Sequence, residues 1–462
     1  MSQPLNRSTY DAAPAAPVRL VHLGLGAFHR AHQVWYTAKA EADPKNPQFG
    51  YCSFTGRSPR MSDKLTAQDS LYTLVTRSGE SDSPEVIETI VEAQPAANIE
   101  RLAELIASKD LVAVTLTVTE AGYHLAEGLK LDTDSADVQA DIAALKADIT
   151  KVDTLATAAG KIVYGLAARR AAGNGGLAIM SCDNIAANGA TARASVLSLA
   201  NEVDPELKAW IEENVTFPSS SIDRITPATE DSLIDDVEKA TGFRDEAPVV
   251  TEPFASWVIE GEFPNGRPDW EKAGAQFVED IEQFENRKLW LLNGSHSLMA
   301  YYGQLRGHAT VAEAIGDEDV RARVNALWDE AANHLTAEGL DIPGYRDALI
   351  ERFENPRIRH NLAQIGIDGG TKQRMRAVPI MKAELADGRD GDGAAFSIAG
   401  WIAYLLRDGG NEEIKDTRAD DLDAARKADD PVAALVAALD EELAANEDAL
   451  ARIRAHVESL TD

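Results

Sequence analysis

The stretch Val18-Arg-Leu-Val-His-Leu-Gly-Leu-Gly26 alternates and then runs into glycines. Such a pattern predicts a strand ending in a tight turn, with a helix beginning near Phe28. Glycines at that turn let the backbone approach a dinucleotide pyrophosphate, and the helix N-terminus favours its charge. Gly24, Leu25, Gly26, Ala27 and Phe28 are therefore candidate coenzyme contacts. The full fingerprint asks for a third glycine at position 29, which here is His29. A strand-to-helix turn without a ligand stands beside the coenzyme reading.

Outward from that turn, strands are expected at 49–55, 86–91, 111–119 and 177–182, separated by helical stretches such as 99–108 and 138–170. Alternation of this kind predicts an α/β fold with a doubly wound parallel sheet covered on both faces. Beyond about residue 270 the spacing is mainly helical, and 431–456 reads as one amphipathic helix. Only the glycine-rich piece 388–393 reads as a low-complexity loop. The expected organisation is a flexible tail over 1–17, a dinucleotide-binding domain over 18–285 and a mostly helical substrate-binding domain over 286–462.

With Lys+Arg 45 against Asp+Glu 76, the 462-residue chain carries a net charge of −31. Such an excess of negative charge repels phosphate backbones and anionic lipid, so nucleic-acid and membrane roles are not expected. Two cysteines, Cys52 and Cys182, are too few for a disulfide scaffold and fit a reducing compartment. No window reads as a membrane span, and residues 1–17 lack the apolar run of a signal peptide. A cytoplasmic small-molecule enzyme is the expectation.

The segment Lys288-Leu-Trp-Leu-Leu-Asn293-Gly-Ser-His296 carries the densest chemistry. On an ordinary helix, at about 100° per residue, Asn293 and His296 lie roughly 140° and 80° from Lys288. One helix then presents an amine, an amide and an imidazole to one side. Carbonyl–alcohol interconversion needs a group to move the hydroxyl proton and donors to hold an alkoxide-like oxygen. Lys288 needs a lowered pKa for that work, which the apolar run 289–292 would favour. The alternative is a snorkelling lysine beside a satisfied core histidine. Gly294, costly inside a helix unless close approach demands it, weighs against that alternative.

Ser181-Cys-Asp-Asn184 follows a buried strand, so Asn184 is a second candidate amide donor; equally, Asp183 or Asn184 caps a helix starting near residue 190. After the second strand no acid awaits a ribose diol, and Arg57 with Ser58 suits a 2′-phosphate or simply solvent. From Arg352 to Arg376 the chain is locally basic, which would attract a substrate anion or a coenzyme phosphate, or pair with acids elsewhere. No histidine or cysteine spacing suggests a metal, and Ser219-Ser-Ser221 lacks a nucleophile elbow.

Together these motifs resemble the polyol-specific long-chain dehydrogenases, the mannitol dehydrogenase family that includes fructuronate reductases (mannonate oxidoreductases) and mannitol-phosphate relatives. The resemblance runs through Leu23 to His32, Gln68 to Thr73, Thr117-Val-Thr-Glu-Ala-Gly-Tyr123, Ser181 to Asn184, Asp223-Arg-Ile-Thr-Pro227, Thr251-Glu-Pro-Phe254 and Lys288 to His296. It implies a Rossmann-type domain, a helical C-terminal domain and metal-independent hydride transfer in the cleft between them. By matching positions, Lys288 resembles the general acid/base, Asn184 and Asn293 the oxyanion-holding amides, and His296 a ligand of a substrate hydroxyl. Asp223 resembles a residue of the substrate pocket, Lys372 a substrate or coenzyme contact, and Thr119 a coenzyme contact. Gln364 stands where mannitol-type members tend to carry Arg, and with His360 it looks closer to the hexuronate reductases.

The function expected is NAD-dependent polyol–ketose interconversion of the mannitol/fructose class, free or phosphorylated, with NADP also open and with mannonate/fructuronate chemistry as the alternative. The family leans toward a monomer or weak homo-oligomer. The rivals from other classes are a catalytically silent dinucleotide-binding sensor and an acidic interaction protein.

Overall fold

Strands β1 (Val18–Leu23), β2 (Gly50–Phe54), β3 (Ile90–Gln94), β4 (Ala113–Leu116), β5 (Leu177–Ser181) and β6 (Val215–Thr216) form one sheet in the order β6-β5-β4-β1-β2-β3. Every neighbouring pair is parallel. Read from the other edge this is 3-2-1-4-5-6, the doubly wound order, whose direction reverses between β1 and β4. Period-2 alternation builds both faces. Val21, Cys52, Val114 and Ile179 pack into one apolar cluster, while their neighbours Leu20, Tyr51, Ala113 and Ala178 pack into another.

The computed structural model describes residues 3–410 and 413–461, and the chain divides into units Met1–Ile281 and Glu282–Asp462. Several boundaries depart from the sequence reading. The expected strand over 86–91 is two strands, Asp82–Ile87 and Ile90–Gln94, belonging to different sheets. The expected helical stretch 138–170 is two helices, Ala136–Ala147 and Ala158–Ala171. Asp141 accounts for the break, because its carboxylate accepts from the amides of Ala156 and Thr157 and holds the intervening loop against the first helix.

The segment read as a flexible tail is tied down. Residues 1 and 2 lie outside the described residues. Gln3–Pro4 pairs in parallel with Phe243–Arg244, Leu5 is buried, and the Ala13 amide donates to Glu88 at 2.7 Å. Backbone pairing and one buried leucine anchor a stretch whose composition alone suggested solvent.

In the second unit, the helix Asp392–Leu406 is buried on all sides from Gly393 to Ala403, as a helix apolar all round must be. Around it lie helices including Glu318–Ala332, Gly369–Ala386 and Glu447–Thr461. The single helix expected over 431–456 is three: Pro431–Leu439, Glu441–Ala445 and Glu447–Thr461. Asp440 accepts from the Leu443 amide and Asn446 from the Ala449 amide, so each restarts a helix where periodicity alone sees continuity. No helix among the described residues is long and apolar enough to cross a membrane.

Candidate active site

In the first unit the glycine turn leaves β1 at the switch point of the sheet, beside the end of β4. Gly24 has φ +113°, and a Cβ there would lie 2.1 Å from the Thr117 carbonyl oxygen, so only glycine fits. Its amide and that of Leu25 both donate to Phe54 O, at 2.9 and 2.8 Å. A Cβ on Gly26 would meet only Gly24 O, at 3.5 Å, which leaves open space in front of the turn. The helix expected from Phe28 begins at Ala27, breaks at His32 and continues as Gln33–Ala40. The turn, its open approach and the switch-point position fit a dinucleotide pyrophosphate.

Thr119, at the far side of the β4 end, has φ +68°, unusual for a β-branched residue. Asp183 explains it: its buried carboxylate accepts from the amides of Val118 (3.1 Å) and Thr119 (2.8 Å) and from the Tyr123 hydroxyl (2.6 Å). Asp183 and Asn184 therefore do not cap the next helix, which is Asn188–Val203 and has no side-chain cap. Asn184 itself is exposed, while Asn188 donates to Asp183 O at 2.9 Å and fixes the backbone before it. The roles of Asp183 and Asn188 were missed, and the buried acid after a buried strand was the available signal. Arg57 is exposed after β2, and Asp223 is buried at the end of strand Ser219–Asp223.

In the second unit Lys288 to Asn293 is wound as a π-helix, followed by an α-helical segment Gly294–Leu298 and a second π segment Met299–Gly303. The Gly294 amide reaches back five residues to Leu289 O. Wider winding brings residue i+5 nearer the face of residue i, so Asn293 lies closer to the Lys288 face than an α-helical wheel places it. Side chains also donate to carbonyls of this segment. Trp328 Nε1 donates to Leu291 O at 2.9 Å, the Ser295 hydroxyl donates to the same oxygen, and Arg376 Nη1 donates to Asn293 O at 2.9 Å. Gly294 is not demanded by close approach, since a Cβ there would make an ordinary 3.5 Å contact with Leu327. Lys288 and Asn293 are half-buried. Of the apolar run 289–292, only Leu291 and Leu292 are buried.

His296 is buried, and its Nε2 has no hydrogen-bond partner among the described residues. Its ring stands edge-on to His360 at 4.8 Å and near Phe353 at 5.2 Å. Burial, then His360, Arg376, Arg352 and Lys372, hold its pKa well below the usual imidazole value. The basic stretch thus divides. His360, Lys372, Arg376 and Arg352 act on His296, whereas Arg357, Arg359 and Arg374 are exposed. Burial lowers Arg376 to about 10; its Nη1 also reaches Ser297 Oγ at 2.8 Å. Lys372 donates to Ile365 O (2.9 Å) and Ile367 O (2.6 Å), tying down the short helix Leu362–Ile365 on which Gln364 is exposed.

Residues 18–272 match the mannitol dehydrogenase Rossmann domain, and residues 280–461 match the mannitol dehydrogenase C-terminal domain. The D-mannonate oxidoreductase of Escherichia coli K12 is 38% identical over 410 residues, spanning 87% of this chain and 82% of that protein. Among solved structures, a substrate-free D-sorbitol dehydrogenase matches with a TM-score of 0.89 at 28% identity, over 99% of this chain and 97% of that one. The Pseudomonas fluorescens mannitol 2-dehydrogenase ternary complex with NAD and D-mannitol matches with a TM-score of 0.77 at 32% identity, over the same shares. With both halves matched by its domains, the chain belongs to the mannitol dehydrogenase family.

Proposed function

We propose that this chain is an NAD(P)-dependent, metal-independent oxidoreductase that interconverts a polyol and a ketose by hydride transfer. The observation that carries the reading is the π-wound segment bearing Lys288 and Asn293, followed by His296 whose Nε2 has no partner among the described residues, in a chain whose other unit has a doubly wound sheet and an open glycine turn. Relatives named for mannonate and mannitol chemistry support it.

In this reading the turn Gly24–Phe28 holds the coenzyme pyrophosphate, with the amides beyond Leu25 as its donors because those of Gly24 and Leu25 are engaged by Phe54 O, and Thr119 and Arg57 border the same ligand. The nicotinamide, when bound, supplies the hydride acceptor. Neutral Lys288 takes the proton of the substrate hydroxyl, Asn184 and Asn293 donate to the oxygen as charge builds on it, and His296 Nε2 meets a neighbouring hydroxyl. Asp223, Lys372 and Gln364 complete the proposed substrate contacts. The sensor reading leaves the lysine without a task. We place the enzyme in the cytoplasm, as a monomer or weak homo-oligomer.

The substrate class of first choice is mannitol/fructose. A sugar acid such as mannonate is the second reading, favoured by one observation: the cations Arg352, Lys372 and Arg376 all act on the buried His296. The test is initial rates with NAD and NADP on mannitol, mannitol 1-phosphate, mannonate, arabinitol and sorbitol, followed by nicotinamide absorbance. Turnover of at least one supports the oxidoreductase; a preference for mannonate or the phosphate over every neutral polyol replaces the first substrate class. No turnover with any leaves the sensor.

A further inference from the structure

His29 occupies the position where the dinucleotide fingerprint carries its third glycine, the one that permits close helix–strand packing. Here the gap is filled by a ring. The His29 imidazole lies flat on that of His22, with centroids 3.4 Å apart and planes 3° from parallel, and both residues are fully buried.

Hydrogen bonds assign each ring one neutral form. Thr117 Oγ1 gives its only proton to Gly24 O at 3.0 Å, so His22 Nε2, 2.9 Å from the same hydroxyl oxygen, is the donor there. His22 Nδ1 then accepts from Thr115 Oγ1 at 2.8 Å, the nearer of that hydroxyl's two acceptors, Val21 O lying 3.4 Å away. On His29, Nδ1 donates to Gln33 Oε1 at 3.3 Å and Nε2 accepts from Ser53 Oγ at 2.9 Å. The Gln33 amide donates to His32 Nδ1 at 3.1 Å, and His32 Nε2 donates to Ser256 O at 3.1 Å. Every ring nitrogen in the series has a partner.

We infer that His22, backed by His29, is a positioning residue for coenzyme: through the Thr117 hydroxyl it fixes the Gly24 carbonyl and so aims the turn that follows. The inference rests on the reading of Gly24–Phe28 as the pyrophosphate turn. Gly24 is pinned on both sides, its amide by Phe54 O and its carbonyl by Thr117, in a left-handed conformation that the chain would otherwise leave readily. Pre-setting that peptide unit removes an ordering cost from coenzyme binding. A glycine at position 29 would leave the His22 ring without its stacking partner, which gives His29 a reason to replace the fingerprint residue.

The experiment measures the dissociation constants of NADH and NADPH for the full chain and for Thr117→Val, Thr117→Ser, His22→Leu and His22→Gln, with thermal unfolding as the folding control. Thr117→Val keeps the shape and removes the hydroxyl. It should weaken the preferred coenzyme about tenfold, the order expected for one lost hydrogen bond that leaves its partners unmet. Thr117→Ser should restore most of that loss. In kinetics the loss should fall on the coenzyme KM and spare the substrate KM, a split that general destabilisation would not produce. His22→Gln, which keeps a donor near the Nε2 position, should bind better than His22→Leu; this pair carries the comparison if Thr117→Val does not fold. Folded Thr117→Val that binds coenzyme as tightly as the unaltered chain overturns the positioning role while leaving the proposed function standing. If the unaltered chain binds neither coenzyme, the proposed function falls with it.

Discussion

Arg376 Nη1 donates to the backbone carbonyl of Asn293 at 2.9 Å, joining the basic helix Gly369–Ala386 to the last residue of the π segment. The same nitrogen reaches Ser297 Oγ, so one guanidinium spans the junction between π and α winding. Replacing Arg376 with Met removes a side-chain donor from the Asn293 carbonyl and lets the Asn293 amide drift. Turnover should fall by about 10- to 100-fold, the range that small misplacement of a catalytic group produces. Arg376→Lys keeps a charge and one donor and should recover part of the loss. Steady-state kcat for the three proteins checks this, and equal kcat in Arg376→Met would remove the positioning role.

Lys288→Ala tests the proton acceptor directly. Loss of a general base should lower turnover by at least about 100-fold while coenzyme affinity barely changes. Single-turnover rates with titrated NADH separate the two quantities, and near-full turnover in the variant would sink the assignment.

The strand–helix alternation and the place of the glycine turn were legible because period-2 apolar runs and glycines report the backbone directly. Breaks imposed by distant side chains were not. Asp141 splits a helix by holding loop amides, and Asp440 and Asn446 restart helices that hydropathy alone would join. The trio on 288–296 was legible as residue types, but its geometry was not, because Trp328, Ser295 and Arg376 capture the carbonyls of a wider winding. From the sequence Asp183 is only a candidate cap; the fold brings Thr119 and Tyr123 onto its carboxylate.

Arg57 is exposed where a ribose-binding acid is absent, so the proposed coenzyme contact can be tested there. If a 2′-phosphate meets that guanidinium, Arg57→Ala should lower kcat/KM with NADP by about tenfold and change kcat/KM with NAD less than about twofold. An equal effect on both coenzymes would show that Arg57 does not discriminate between them.

Stability should fall in mild acid because buried imidazoles cannot accept protons in place. Burial lowers His22 to about 3 and holds His29, His296 and His360 below the usual value. Unfolded histidines titrate near 6.5, so below that pH the unfolded chain binds protons that the native chain refuses. The contribution is complete above about pH 6.5 and is lost as pH falls toward the folded values; each histidine contributes a slope of about 1.4 kcal/mol per pH unit. Between about pH 5 and 6.5 ordinary carboxylates remain ionised, and comparison with His22→Gln separates the His22 contribution from that of Glu88 and Glu330, which burial raises. The unfolding temperature should drop across this window, and His22→Gln should make the drop shallower whatever its effect at pH 7.5. A flat profile over that interval, or an unchanged slope in His22→Gln, would mean that His22 takes up a proton without loss of the fold.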